Sequence, residues 1–215
     1  MVRPSQNIDL LLLQSGRELF PHCGCCDLSL RRLTEHAGVN HGMFHYHFIN
    51  KDNFLGILLQ NMYEEFFLQL QAEVLSPGTP KERLRQTMNL FGRLAREHGP
   101  WLGRVWSDAA RGEEVAMAFL KKNGSRHMQL IVNLVIEAIQ KRELDEIAPM
   151  QAFTFLMGAV AAPVLIVPRV MAMGFAPALV QEKMHSTVLS DQGIAERVDR
   201  ALFALSTPMK EIKHV

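Results

Sequence analysis

The stretch Ser29 to Lys51, SLRRLTEHAGVNHGMFHYHFINK, constrains this chain more than any other. It reads as a short helix, a sharp corner at Gly38 and a second short helix. Leu30, Leu33 and Ala37 share one face at three-and-four spacing, with Arg31, Arg32 and Glu35 opposite. Glycine at a helix end suits a position forced to positive φ. Val39 fills the corner, and Asn40 is a favourable N-cap for a helix from about His41 to His47. Phe44 and Phe48, at i and i+4, lock that helix inward and leave His41, Gly42, Met43, His45 and His47 mostly outward. The pattern predicts a helix-turn-helix whose second helix enters the DNA major groove.

The remaining chain also reads as helix, with few alternating runs and no Asn-Gly or Asp-Gly hairpin signal. A first helix is expected to start near Ser5 to Asn7, to turn Ile8, Leu11, Leu12, Ser15 and Leu19 to one face, and to end at Pro21. Lys51 opens a long helix to about Leu75, with Phe54, Leu55, Leu58, Leu59, Met62, Phe66 and Leu70 as its buried stripe. Ser76 to Pro80 is a break, followed by a helix to about Glu97. His98-Gly99-Pro100 predicts another break, with Pro100 starting a helix from Trp101 to Arg111. The next helix runs from around Gly112 to about Glu143, with Met117, Leu120, Met128, Ile131, Leu134, Val135 and Ile139 inward. Pro149 opens an uncharged helix, Ala176 to Leu189 reads as helical, and an amphipathic helix from Asp191 to about Ser206 carries Ile194, Val198, Leu202 and Leu205 in register.

Hydrophobic residues make up 48% and charged residues 21%, enough to bury a sizeable core and contrary to global disorder. A net charge of +1 excludes the strongly basic balance of a non-specific nucleic-acid binder. It permits a specific reader, which needs only a few placed cations and helix N-termini on phosphates. Ile147 to Pro168 carries no charged residue and is long enough on paper to span a bilayer. It also holds Pro149, Gln151, Pro163 and Pro168 and lacks a flanking cluster of Lys and Arg, so it reads as a buried helix at a subunit interface, with no membrane partner.

Ala37-Gly38-Val39-Asn40, then Phe44-His45-Tyr46-His47-Phe48, then Asn50-Lys51-Asp52, resembles the DNA-binding domain of TetR-family transcriptional regulators. Ser15-Gly16-Arg17-Glu18-Leu19-Phe20 is similar to the family's first helix, and the resemblance spans about residues 8 to 58. Two departures stand out. His45 occupies the outward position usually held by a phosphate-binding tyrosine, and Thr34 replaces the small alanine four residues before the turn glycine. The resemblance implies an all-α fold: a three-helix reader over residues 1–51, joined by a long helix to a ligand-binding and dimerisation bundle over residues 52–215. It further implies a cytoplasmic homodimer that binds a palindromic double-stranded DNA operator and is released by a small-molecule effector. Arg31, Asn40, His41, Gly42 and Met43 would approach bases or adjacent phosphates, and His45, His47 and Lys51 would hold phosphates.

Within the body, Phe66, Phe91, Trp101, Val105, Met128 and Phe155 are candidates to line a cavity for an apolar or aromatic ligand, or else form plain core. No Gly-x-Ser-x-Gly, phosphate-cradling glycine loop or His-Glu-x-x-His occurs, so no enzyme activity and no cofactor are expected. Cys23, Cys25 and Cys26 are the only cysteines, which suits a reducing setting. The segment His22 to Asp27 reads either as a compact turn with incidental thiols or as a thiol or metal sensor beside the reader. A closed zinc site lacks a second cysteine pair. Both readings stand at this point.

Overall fold

The computed structural model describes residues 7–174 and 177–206, and among these every regular element is a helix. In chain order they are α1 (Ile8–Asp27), α2 (Leu30–Ala37), α3 (His41–His47), α4 (Lys51–Val74), α5 (Pro80–Ala110), α6 (Glu114–Gln140), α7 (Pro149–Ala172), α8 (Ala178–Lys183) continued by a π-helical turn (Met184–Val188), and α9 (Asp191–Leu205). The fold is all-α, with a helix-turn-helix at its amino-terminal end.

The chain divides into two compact units, Met1–Phe66 with Pro100–Gly124, and Phe67–Gly99 with Ser125–Val215. The first holds α1 to α3, most of α4, the last turns of α5 and the start of α6. Its core is aromatic at both ends. Phe44, Phe48 and Phe54 form a triangle with centroids 4.9–5.5 Å apart. Tyr63 and Trp101 each meet Phe119 edge-on, and the Tyr63 hydroxyl donates to the Asn123 carbonyl at 3.0 Å. The predicted stripe of α4 is buried throughout, from Phe54 to Leu70.

In the second unit, α5 packs on α6 through the Arg83–Glu137 ion pair and a stack of Phe91 on His127. It meets α9 through Arg96, which pairs with Asp191 and donates to the Leu189 carbonyl at 2.6 Å. Ile194, Val198, Leu202 and Leu205 of α9 are all buried, as their spacing predicts. On α7, Ala152, Leu156, Val160 and Val164 turn inward, while Met150, Phe155, Ile166 and Val170 remain exposed. That helix is long and apolar enough to cross a membrane by length and composition alone, with 33% of its most apolar window buried.

Several predicted ends move. Pro21 does not stop α1, which continues to Asp27 across a break at Gly24, so the cysteines lie on helical backbone rather than in a turn. No break occurs at His98 to Pro100 and Pro100 does not open a new helix: α5 is continuous from Pro80 to Ala110. A proline deletes one ladder bond and crowds the preceding turn. Buried residues on both sides, Leu19 and Cys23 in α1, Ala95 and Trp101 in α5, carry each helix through. The α6 helix ends at Gln140, not near Glu143. Leu11 and Met117, read as inward, are 45% and 43% exposed, and Ser15, Gly16 and Ala116 fill the inward positions beside them. Ser5 and Ala176 lie outside the described residues; Asn7 precedes α1 without a side-chain cap.

Candidate nucleic-acid interface

The corner of the reader is built by three local devices. Ser29 caps α2, its hydroxyl accepting from the Arg32 N–H at 3.4 Å. Gly38 then turns left-handed at φ 66, with its N–H on the Glu35 carbonyl and the Val39 N–H on the Thr34 carbonyl, the paired bonds of a Schellman ending. Asn40 caps α3, its Oδ1 accepting from the Gly42 N–H at 2.9 Å. Thr34 fits the tight crossing because its hydroxyl turns back onto the Leu30 and Arg31 carbonyls, leaving the residue 3% exposed.

These devices hold α3 with Phe44 fully buried and its opposite side open. His41, Gly42 and His45 are exposed, and Met43 and His47 are half-buried. The His41 and His45 rings meet edge-on with centroids 5.7 Å apart, on one side of the helix. Arg31 is exposed on α2 and paired to Glu35 at 2.8 Å. Tyr46 on α3 and Ile49 just beyond its end, neither marked as a site residue by the sequence pattern, are 81% and 80% exposed. Two large apolar groups left in water beside a polar face were the available signal.

Lys51 is half-buried at the start of α4. Its Nζ donates to the Cys26 carbonyl at 3.1 Å, so it ties the start of α4 to the end of α1. The thiols beside it are poor sensors. Cys23 and Cys25 are buried. Burial pushes both thiols up, Cys25 well beyond the ordinary range, helped there by Glu113 and Asp108. Cys26 is exposed, and its thiol is also raised, by partial desolvation and then by the Asp108 carboxylate. A thiolate is the nucleophile and the metal ligand, and this setting suppresses it. Among the described residues no three His, Cys, Asp or Glu side chains converge as a metal site. The arrangement therefore does not support the thiol- or metal-sensor reading.

The proposed ligand set is distributed between the units. Phe66, Trp101 and Val105 are buried in the first; Phe91 is buried and Met128 half-buried in the second. Phe155, read as cavity-lining, is 47% exposed on α7. In the first unit, an open groove of about 850 Å³ runs between α1 and α4, lined by Leu10, Leu11, Leu13 and Leu58 among others, and includes none of the six.

Residues 12–56 match the family described as bacterial regulatory proteins, tetR family. The amino-terminal domain belongs to the TetR family. Its match covers α2, α3 and the corner, the elements whose geometry is given above. No curated protein sequence matches the chain. Among solved structures, the chain is similar to the ketosteroid transcriptional regulator KstR2 of Mycobacterium tuberculosis, at 16% identity over 97% of this chain and 100% of that one, with a TM-score of 0.67. It is similar to a TetR/AcrR-family transcriptional regulator from Thermobifida fusca, at 18% identity over 92% and 97% of the two chains, with a TM-score of 0.64. It is also similar to the transcriptional regulator FadR of Bacillus subtilis solved with stearoyl-CoA, at 14% identity over 94% and 99%, with a TM-score of 0.63. The TetR fold thus extends over the body as well as the reader.

Proposed function

We propose that this chain is a ligand-released transcriptional repressor that binds a palindromic operator as a homodimer. The observation that carries the reading is the outward face of α3, presented by the Gly38 corner and the Asn40 cap within a TetR-family domain. Arg31, Asn40, His41, Gly42 and Met43 approach bases or nearby phosphates, and His45, His47 and Lys51 hold phosphates. The half-buried Lys51 does so while fixed on Cys26, which makes it a positioned charge rather than a free one.

Pairing supplies the two-fold symmetry that a palindrome requires. Phe155, Ile166 and Val170 on α7 and Phe203 on α9 are large apolar groups left exposed, and a second copy packing there forms a four-helix seam. The body is the ligand-binding part. Stearoyl-CoA with the Bacillus subtilis regulator and the ketosteroid regulator of Mycobacterium tuberculosis belong to proteins of the same fold, and both point to an apolar effector. Effector binding shifts the population away from the DNA-competent reader spacing.

Selection from a random duplex pool tests the reading. The expected product is a palindrome with half-sites about one or more helical turns apart, bound by two chains. A pool that enriches no sequence contradicts it.

A further inference from the structure

The break in α1 separates two backbone groups that an unbroken helix would pair. There, the Cys25 N–H would donate to the Pro21 carbonyl four residues back. Gly24, at φ 70 and ψ −164, parts them. Both are then taken up by α5. Arg104 Nε donates to the Pro21 carbonyl at 3.2 Å, and the Cys25 N–H donates to Asp108 Oδ2 at 2.6 Å. Arg104 and Asp108 stand four residues apart on α5, one turn, and carry opposite charges. The donor meets the freed acceptor and the acceptor meets the freed donor.

Asp108 is fully buried, and Arg111 pairs with its other oxygen. Burying a carboxylate without such partners is costly, so this placement is specific. Nothing local demands the break. The chain is helical again immediately after Gly24, through Asp27. Glycine permits the left-handed conformation but does not impose it.

We infer that Arg104 and Asp108 are a two-pin plug that holds α1 open, and that they act as positioning residues for the DNA reader. The pinned break sets the direction in which the chain runs through buried Leu28 into α2 and on to α3. With the pins withdrawn, the Cys25 N–H and the Pro21 carbonyl pair with each other, α1 closes and the reader is re-aimed. This gives one element with two discrete hydrogen-bonded arrangements, the physical requirement for a switch. The last turns of α5, which carry the pins, belong to the same unit as the break. The consequence for DNA rests on the DNA-reading proposal above.

Full-length wild type, Gly24→Ala, Asp108→Ala and the double variant test this by thermal unfolding and by binding to the duplex that wild type selects. In wild type, Gly24→Ala lowers the melting temperature. In the Asp108→Ala background it raises it, because alanine favours the closed helix and its obstacle is gone. The folded double variant binds the selected duplex at least about tenfold more weakly, the loss of one base contact. Asp108→Asn, which keeps an acceptor for the Cys25 N–H, retains most of the affinity. A Gly24→Ala effect equal in both backgrounds overturns the plug. A folded double variant with wild-type affinity overturns its role in reading. If wild type selects no duplex, the DNA-reading proposal fails, and the melting cycle still decides whether the plug exists.

Discussion

Gly24 and Asp108 are fitted to each other: a Cβ at position 24 would clash with Asp108 Oδ2. Gly24→Ala in the wild-type background adds this clash to the strain of a positive φ. We expect a loss of at least about 2 kcal/mol, read by denaturant unfolding. A loss below half of that would show that the site yields easily.

The reader's corner should be sensitive in a different way. Gly38 is left-handed but has open space where a Cβ would go. Gly38→Ala therefore costs only the backbone strain, about 1–2 kcal/mol, and Gly38→Asn costs less because asparagine tolerates that conformation. Equal losses for the two would contradict the strain account.

These two glycines mark how far the sequence could be read. Gly38 stood between a helical stripe and a capping asparagine, so its role was legible, as were the Asn40 cap and the Phe44–Phe48 lock. Gly24 stood after a proline in a run of small residues, which resembles a turn, and its partner Asp108 lies 84 residues away on another helix. Long-range pairing leaves no local pattern. One signal was present: Asp108 continues the inward stripe of Trp101 and Val105, where an acid is out of place. Local propensity makes Pro21 a helix end and Pro100 a helix start. Packing on both sides of each proline outweighs it. The exposure of Phe155 is not legible in the sequence because the all-round apolar character of α7 hides which side is inward.

The thiols give an alkaline prediction. The folded Cys25 thiol is raised above its ordinary value of 9.0 by burial, then by Glu113 and Asp108. The unfolded chain therefore loses that proton first. Stability from this group is complete below the unfolded value and declines as pH rises past it, by at most about 1.4 kcal/mol per pH unit. Wild type should lose stability more steeply than Cys25→Ala between pH 8.5 and 10 (about the thiol range). In the same range, iodoacetamide should label Cys26 first, with Cys23 and Cys25 protected until unfolding.

His127 gives the acid counterpart. Burial lowers its value below 6.5. The unfolded chain takes up the proton first as pH falls, so this stabilisation is present above 6.5 and is lost through the folded value below it. His127→Phe should flatten the acid limb of the stability curve relative to wild type. An unchanged limb would mean that other groups govern acid unfolding.

Lys51 should show both of its tasks. Lys51→Ala removes the bond to the Cys26 carbonyl and, under the proposed function, a phosphate contact as well. We expect about 1 kcal/mol lost in stability and uniformly weaker binding to all duplexes, with a shallower salt dependence. A changed base preference would place Lys51 against a base instead.

The most direct test of the reading as a whole compares wild type with Arg31→Ala on duplexes selected by wild type from a random pool. We expect an enriched palindrome bound by a dimer, with Arg31→Ala folded, about tenfold weaker and relaxed at one position of each half-site. Absence of any enriched sequence, or identical selection by both proteins, would contradict it.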